Sequence, residues 1–131
     1  MELLHKDITD KIIKAFYKVY NVLGFGFLEK VYENAMFVEL IATGLQCEKQ
    51  KQIRVYYNGQ AVGEYYSDMV VNDCVIVELK SSERLVKEHT LQLINYLKAT
   101  NLEIGLLLNF GKKPEFKRKI FTNDKKNMKP V

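Results

Sequence analysis

Apolar side chains recur at steps of three and four along the first forty residues. Ile8, Ile12, Phe16, Val19 and Leu23 share one stripe, with Lys11, Lys14 and Lys18 turned away from it, which predicts a helix over 7–23. Gly24-Phe25-Gly26 interrupts it. Val31, Ala35, Met36 and Leu40 then form the stripe of a second helix over 28–43, with Gly44 placed to end it in a left-handed conformation. Beyond this the period shortens. Residues 52–57 are β-branched and aromatic, Asn58-Gly59 is a two-residue hairpin signal, and the return strand spans 60–71. Asn72-Asp73 predicts another tight turn into a strand over 74–80. Val75, Ile76, Val77 and Leu79 make that strand apolar on both faces, as a central position in a sheet requires. Ser81-Ser82 caps a third predicted helix over 83–100. Residues 102–109 read as a second buried strand, 116–121 as an edge strand, and the last dozen residues as frayed. The expected class is α/β, in the order ααβββαβ, with a mixed central sheet flanked by helices. The strand–helix–strand unit over 74–109 predicts two parallel neighbours.

Composition narrows the field. The chain has 131 residues, 47% of them hydrophobic, which suits one folded domain without disulfide support. Cys47 and Cys74 lack metal-ligand spacing and read as reduced thiols. The first residues carry no signal-peptide pattern and no apolar run can cross a bilayer, so a cytoplasmic protein away from membranes is expected. Residues 111–131 hold eight basic and two acidic side chains, against twelve basic and fourteen acidic in the other 110. Lys112, Lys113, Lys117, Arg118 and Lys119 are therefore candidate phosphate contacts, joined on the hairpin by Lys51 and Arg54. A solvated tail is the plainer account of the same charge.

Glu78-Leu79-Lys80 sits inside the apolar strand. Side chains two apart share a face, and burying two charges there is unfavourable unless they are paired or bound. Taken alone, an acid–lysine ion pair explains them. Asp68, ten positions earlier on the preceding strand, changes the balance. Antiparallel pairing can bring it beside Glu78, and two adjacent carboxylates raise each other's pKa until a cation neutralises them. Hard oxygen ligands favour magnesium or manganese, one or two ions. Lys80 can then orient the attacking water, help deprotonate it, or stabilise charge on the phosphoryl transition state.

Asp68 followed by Glu78-Leu79-Lys80 resembles the motif of the PD-(D/E)XK nuclease superfamily, with Ser67 where the motif has proline. Gly26-Phe27-Leu28-Glu29-Lys30-Val31-Tyr32 is similar to the signature of the GxxExxY family, which is grouped with those nucleases. The resemblance covers residues 5–122. It implies a restriction-endonuclease-like core in a nuclease-like domain over 1–122, with 123–131 as a basic tail. It also implies that Glu29 joins Asp68, Glu78 and the Leu79 carbonyl at the metal, with Glu33, one turn later, as rival. Tyr32 shares that helix and either packs near the site or serves the core. Gln92-x-x-x-Tyr96 resembles the helix motif whose polar groups help position catalytic residues or nucleic acid in bacterial recombination helicase-nucleases, while the adjoining His89 reads as a partly exposed helical histidine.

The expected function is metal-dependent hydrolysis of nucleic-acid phosphodiesters, of DNA rather than RNA. The alternative is a non-catalytic nucleic-acid-binding or assembly module that keeps the fold. So small a chain has little surface to clamp a duplex, which points to a homo-oligomer or a larger protein partner.

Overall fold

The computed structural model describes residues 4–127. The elements are α1 (Lys6–Leu23), α2 (Glu29–Ala42), β1 (Cys47–Tyr57), β2 (Gln60–Val71), β3 (Val75–Lys80), α3 (Lys87–Lys98), β4 (Ile104–Phe110) and β5 (Pro114–Ile120), followed by a short 3-10 turn at Asn123–Lys125. The five strands form one mixed sheet in sequence order. Only β3 and β4 run parallel, from Val75 opposite Ile104 to Lys80 opposite Asn109. β5 completes the sheet beside β4. Residues 128–131 of the basic tail lie outside the described residues. Among those described, no helix is long and apolar enough to cross a membrane.

Alternation along the central strands divides the interior in two. Val75, Val77, Leu79, Leu106 and Leu108 pack under α1 and α2, while Ile76 and Leu107 pack under α3 with Leu93 and Leu97. Each such side chain contributes roughly 1.5–3 kcal/mol on burial, so the helices are held to the sheet mainly by these two layers. An aromatic series docks the first two helices. The Tyr32 ring stacks on Phe110 at 4.1 Å, and Phe16 meets Phe110 edge-on at 4.9 Å.

The α2 stripe differs from the sequence expectation. Tyr32, Glu33, Met36 and Leu40 face inward, whereas Val31 is 38% exposed. α2 carries apolar residues nearly all round, so spacing alone does not select its inner face. α3 also begins later than predicted. Ser82 does not cap it: its hydroxyl donates to the Arg84 carbonyl at 3.0 Å, and its N–H and C=O are held by the buried Asn109 side chain at 3.0 Å each. The helix starts after Val86, whose N–H donates to His89 Nδ1 at 3.2 Å.

β1 is longer than its apolar stretch and has a left-handed residue within it. Lys49, paired with Met69, reaches over the Phe37 ring on the α2 side. Ile53, paired with Tyr65, belongs to the α3 side. Residues four apart on a regular strand share a face. Here Gln50 intervenes with φ of 54°, and the faces exchange. The crossover falls at Gln50 and Asp68, at the heart of the site.

Candidate active site

β2 and β3 pair only over Met69–Val77, Val70–Ile76 and Val71–Val75. Past Met69 and Val77 the strands separate, and two side chains bridge the gap. The Asp68 N–H donates to Glu78 Oε2 at 2.7 Å, and the Leu79 N–H donates to Asp68 Oδ2 at 2.8 Å. The carboxylates thus satisfy two backbone donors that lost their ladder partners, which fixes both acids face to face. The remaining oxygens, Asp68 Oδ1 and Glu78 Oε1, accept no hydrogen bond among the described residues.

The electrostatics follow from this crowding. Burial, and then the Asp68 charge, push the Glu78 carboxyl up to about 8, against the pull of the Asp68 N–H and Lys80. Burial also raises Asp68, opposed by the Leu79 N–H and Lys80 and reinforced by Glu33 and Glu29. Lys80 does not form the simple ion pair. Among the described residues the salt bridges lie elsewhere, and Lys80 Nζ donates to Gln92 Oε1 at 3.2 Å. Gln92 Nε2 donates onward to the Tyr96 hydroxyl at 3.2 Å. Burial and the two nearby carboxylates push Tyr96 up to about 12, so it stays a neutral phenol.

A cleft of about 160 Å³ opens at Asp68, lined also by Glu29, Lys30, Glu33, Gln50 and Leu79. Both oxygens of Glu33 are occupied, by Lys30 Nζ at 2.5 Å and Gln50 Nε2 at 2.6 Å. Glu29, on the same cleft, makes no ion pair or hydrogen bond among the described residues. Of the two rivals on α2, Glu29 therefore keeps a free carboxylate.

A family model of the PD-(D/E)XK nuclease superfamily matches residues 6–119, which takes in all three helices, β1 to β4, and β5 short of its last residue. The chain belongs to the PD-(D/E)XK nuclease superfamily. No curated protein and no solved structure matches it.

Nucleases of this superfamily generally use divalent ions, so the donor set of this chain is the relevant comparison. Among the described residues no three His, Cys, Asp or Glu side chains are grouped to hold an ion. Magnesium is commonly held by one or two carboxylates and keeps several waters. Two neighbouring carboxylates with one oxygen each that accepts no hydrogen bond among the described residues, beside an open cleft, suit that mode. The donors fit.

Other predicted residues serve differently. The Tyr32 hydroxyl donates to Gly24 C=O at 2.7 Å and accepts the Phe27 N–H at 3.2 Å. It braces the loop that presents Glu29, away from the carboxylates. Lys112 lies just past β4, at the same sheet end as Lys80, where the Tyr20 hydroxyl holds its carbonyl at 2.7 Å. Lys113 follows it. Lys117 and Lys119 pair with Leu107 and Gly105, progressively farther from that end. Arg118 hydrogen-bonds the Leu4 carbonyl and so anchors the start of α1. Gln50 and Asn109 escaped sequence reasoning. For Gln50 the only trace is the broken alternation of polar residues 48–51. Asn109, 0% exposed, was visible as one amide at the end of an apolar strand.

Proposed function

We propose that this chain is a metal-dependent nuclease of the GxxExxY kind that hydrolyses phosphodiester bonds, in DNA rather than RNA. The observation that carries the proposal is the fork itself: a buried Glu78 and a half-buried Asp68 bonded across parted strands, each with one oxygen that accepts no hydrogen bond among the described residues, and the Lys80 ammonium alongside without an ion pair among them. Asp68 and Glu78 would hold magnesium or manganese, with the Leu79 carbonyl and Glu29 completing the shell directly or through water. An ion bound there supplies Lewis acidity, offsetting phosphate charge and acidifying water.

The residues around it position the reactants. Gln92 accepts a hydrogen bond from Lys80 and so holds the ammonium at the fork without neutralising it. Lys80 assists the water whose oxygen attacks phosphorus as the P–O bond to the leaving sugar breaks. Tyr96 keeps Gln92 oriented. Lys112 and Lys113, at the same end of the sheet, attract the phosphate backbone.

Purified protein assayed on single-stranded, duplex and nicked DNA and on RNA should cut DNA with magnesium or manganese, and Glu78→Ala should not. Absence of cleavage on every substrate with either ion refutes the reading. One observation favours a non-catalytic assembly module instead: Leu28, just before α2, is 79% exposed, and Val38 and Ile41 on it are 68% and 47% exposed, more apolar surface than a lone helix face needs. Under that reading, nucleic-acid binding persists in Asp68→Ala and Lys80→Ala without any metal requirement.

A further inference from the structure

The hairpin of β1 and β2 extends beyond the three residue pairs that tie β2 to β3, and its free arm leans over α3. Between arm and helix lies a groove of about 510 Å³, lined by Val55 and Tyr65 from the hairpin and by Leu91, Gln92, Asn95 and Tyr96 from α3. That volume lies within the range of small-ligand sites. The two tyrosine rings stand 5.6 Å apart with their planes inclined at 48°. They form an open wedge rather than a closed stack. Tyr65 is 50% and Leu91 46% exposed, so the walls are accessible. Asn95 and Gln92 place carboxamides, each both donor and acceptor, along one side.

Gln92 and Tyr96 belong to two sites at once. One side of the pair serves Lys80 and the carboxylates, and the other lines this groove. The groove thus reaches Lys80, beside the fork, through this pair. Glu88 on the rim repels phosphate, so the backbone does not lie in the groove. A flat, uncharged group with hydrogen-bonding edges suits these walls. A nucleobase has that character, and aromatic faces bind bases whatever their sequence.

We infer that the groove between the β1–β2 hairpin and α3 is a nucleobase subsite, which receives an unpaired base while the adjoining phosphate lies at the Asp68–Glu78 fork. The inference rests on the proposed nuclease reading and adds a substrate class: single-stranded DNA, or an unpaired end or flap, rather than intact duplex. A paired base cannot enter without leaving its stack.

The test is binding in EDTA, by fluorescence anisotropy, of a labelled single-stranded oligonucleotide and a blunt duplex of the same length. An abasic sugar is then walked through the single strand one position at a time. Wild-type protein should prefer the single strand and lose roughly tenfold at one abasic position. Tyr65→Ala should lower the ratio of single-strand to duplex affinity roughly tenfold, and should abolish sensitivity to that position. Tyr65→Phe should retain both, and Leu91→Glu, which changes the opposite wall, should reproduce the loss. A preference that is unchanged in Tyr65→Ala and Leu91→Glu, or uniform tolerance of abasic sites, overturns the subsite even if the protein cuts DNA. Tyr65-dependent binding by a protein that cuts nothing retains the subsite and overturns hydrolysis instead.

Discussion

Replacing Glu78 by glutamine isolates the electrostatics of the fork. The amide keeps the shape, and its oxygen can still accept the Asp68 N–H, but it carries no charge at any pH. In the wild type, burial and Asp68 raise the Glu78 carboxyl from an ordinary 4.5 to about 8. Between those values the native state holds a proton that the unfolded chain has released, so native stability falls as pH rises through the window and levels off above it. The gap is 3.5 pH units; at about 1.4 kcal/mol per unit the loss reaches roughly 5 kcal/mol. Asp68 titrates with Glu78, so the slope belongs to the pair. In a domain of this size that is on the order of 15–20 °C in Tm. Thermal melts in EDTA at pH 5 and pH 8 should show wild type losing most of that amount. Glu78→Gln should stay nearly level and be the more stable protein at pH 8. Magnesium at millimolar concentration should recover the loss in wild type and not in the variant. Equal slopes for the two proteins would refute the account of the fork as an uncompensated carboxylate pair.

Three further outcomes follow from contacts elsewhere in the site. Lys80→Arg preserves charge but cannot give up a proton and fits poorly beside Gln92, so cleavage should drop at least about a hundredfold while DNA binding in EDTA persists. Tyr32→Phe strands the Gly24 carbonyl and the Phe27 N–H and should reduce stability by about 1–2 kcal/mol in urea melts. Gly111→Ala would set a Cβ 2.6 Å from the Ser82 backbone oxygen and 3.1 Å from that of Glu83. It should cost about 1–3 kcal/mol and displace the segment following Lys80, seen as a lower Tm together with weaker cleavage.

Much of this architecture is legible along the chain because its strongest local signals agree with the tertiary structure. Asn58 and Gly59 both take positive φ, 49° and 75°, as the two-residue turn requires. β3 is buried on both faces, as Val75, Ile76, Val77 and Leu79 imply. Spacing also brought Asp68 level with Glu78. Other features depend on contacts that no local pattern encodes. The start of α3 is set by Asn109, twenty-seven residues from Ser82. The inner face of α2 is chosen by Phe110, which stacks on Tyr32 and leaves Val31 outside. The opening half of β1 has no period to read, since the left-handed Gln50 exchanges its faces midway.

The crossed bonds from Asp68 and Glu78 to each other's strands have an evolutionary consequence. They are mortar as well as reagent: without them two amides in the middle of the sheet would face each other with nothing to hold. A descendant that abandoned chemistry would still need an acceptor oxygen at both positions, an amide at 78 serving as well as the acid, and would shed Lys80, whose side chain supports no strand, sooner. Within such a lineage the lysine, more than either acid, would record whether cutting continued.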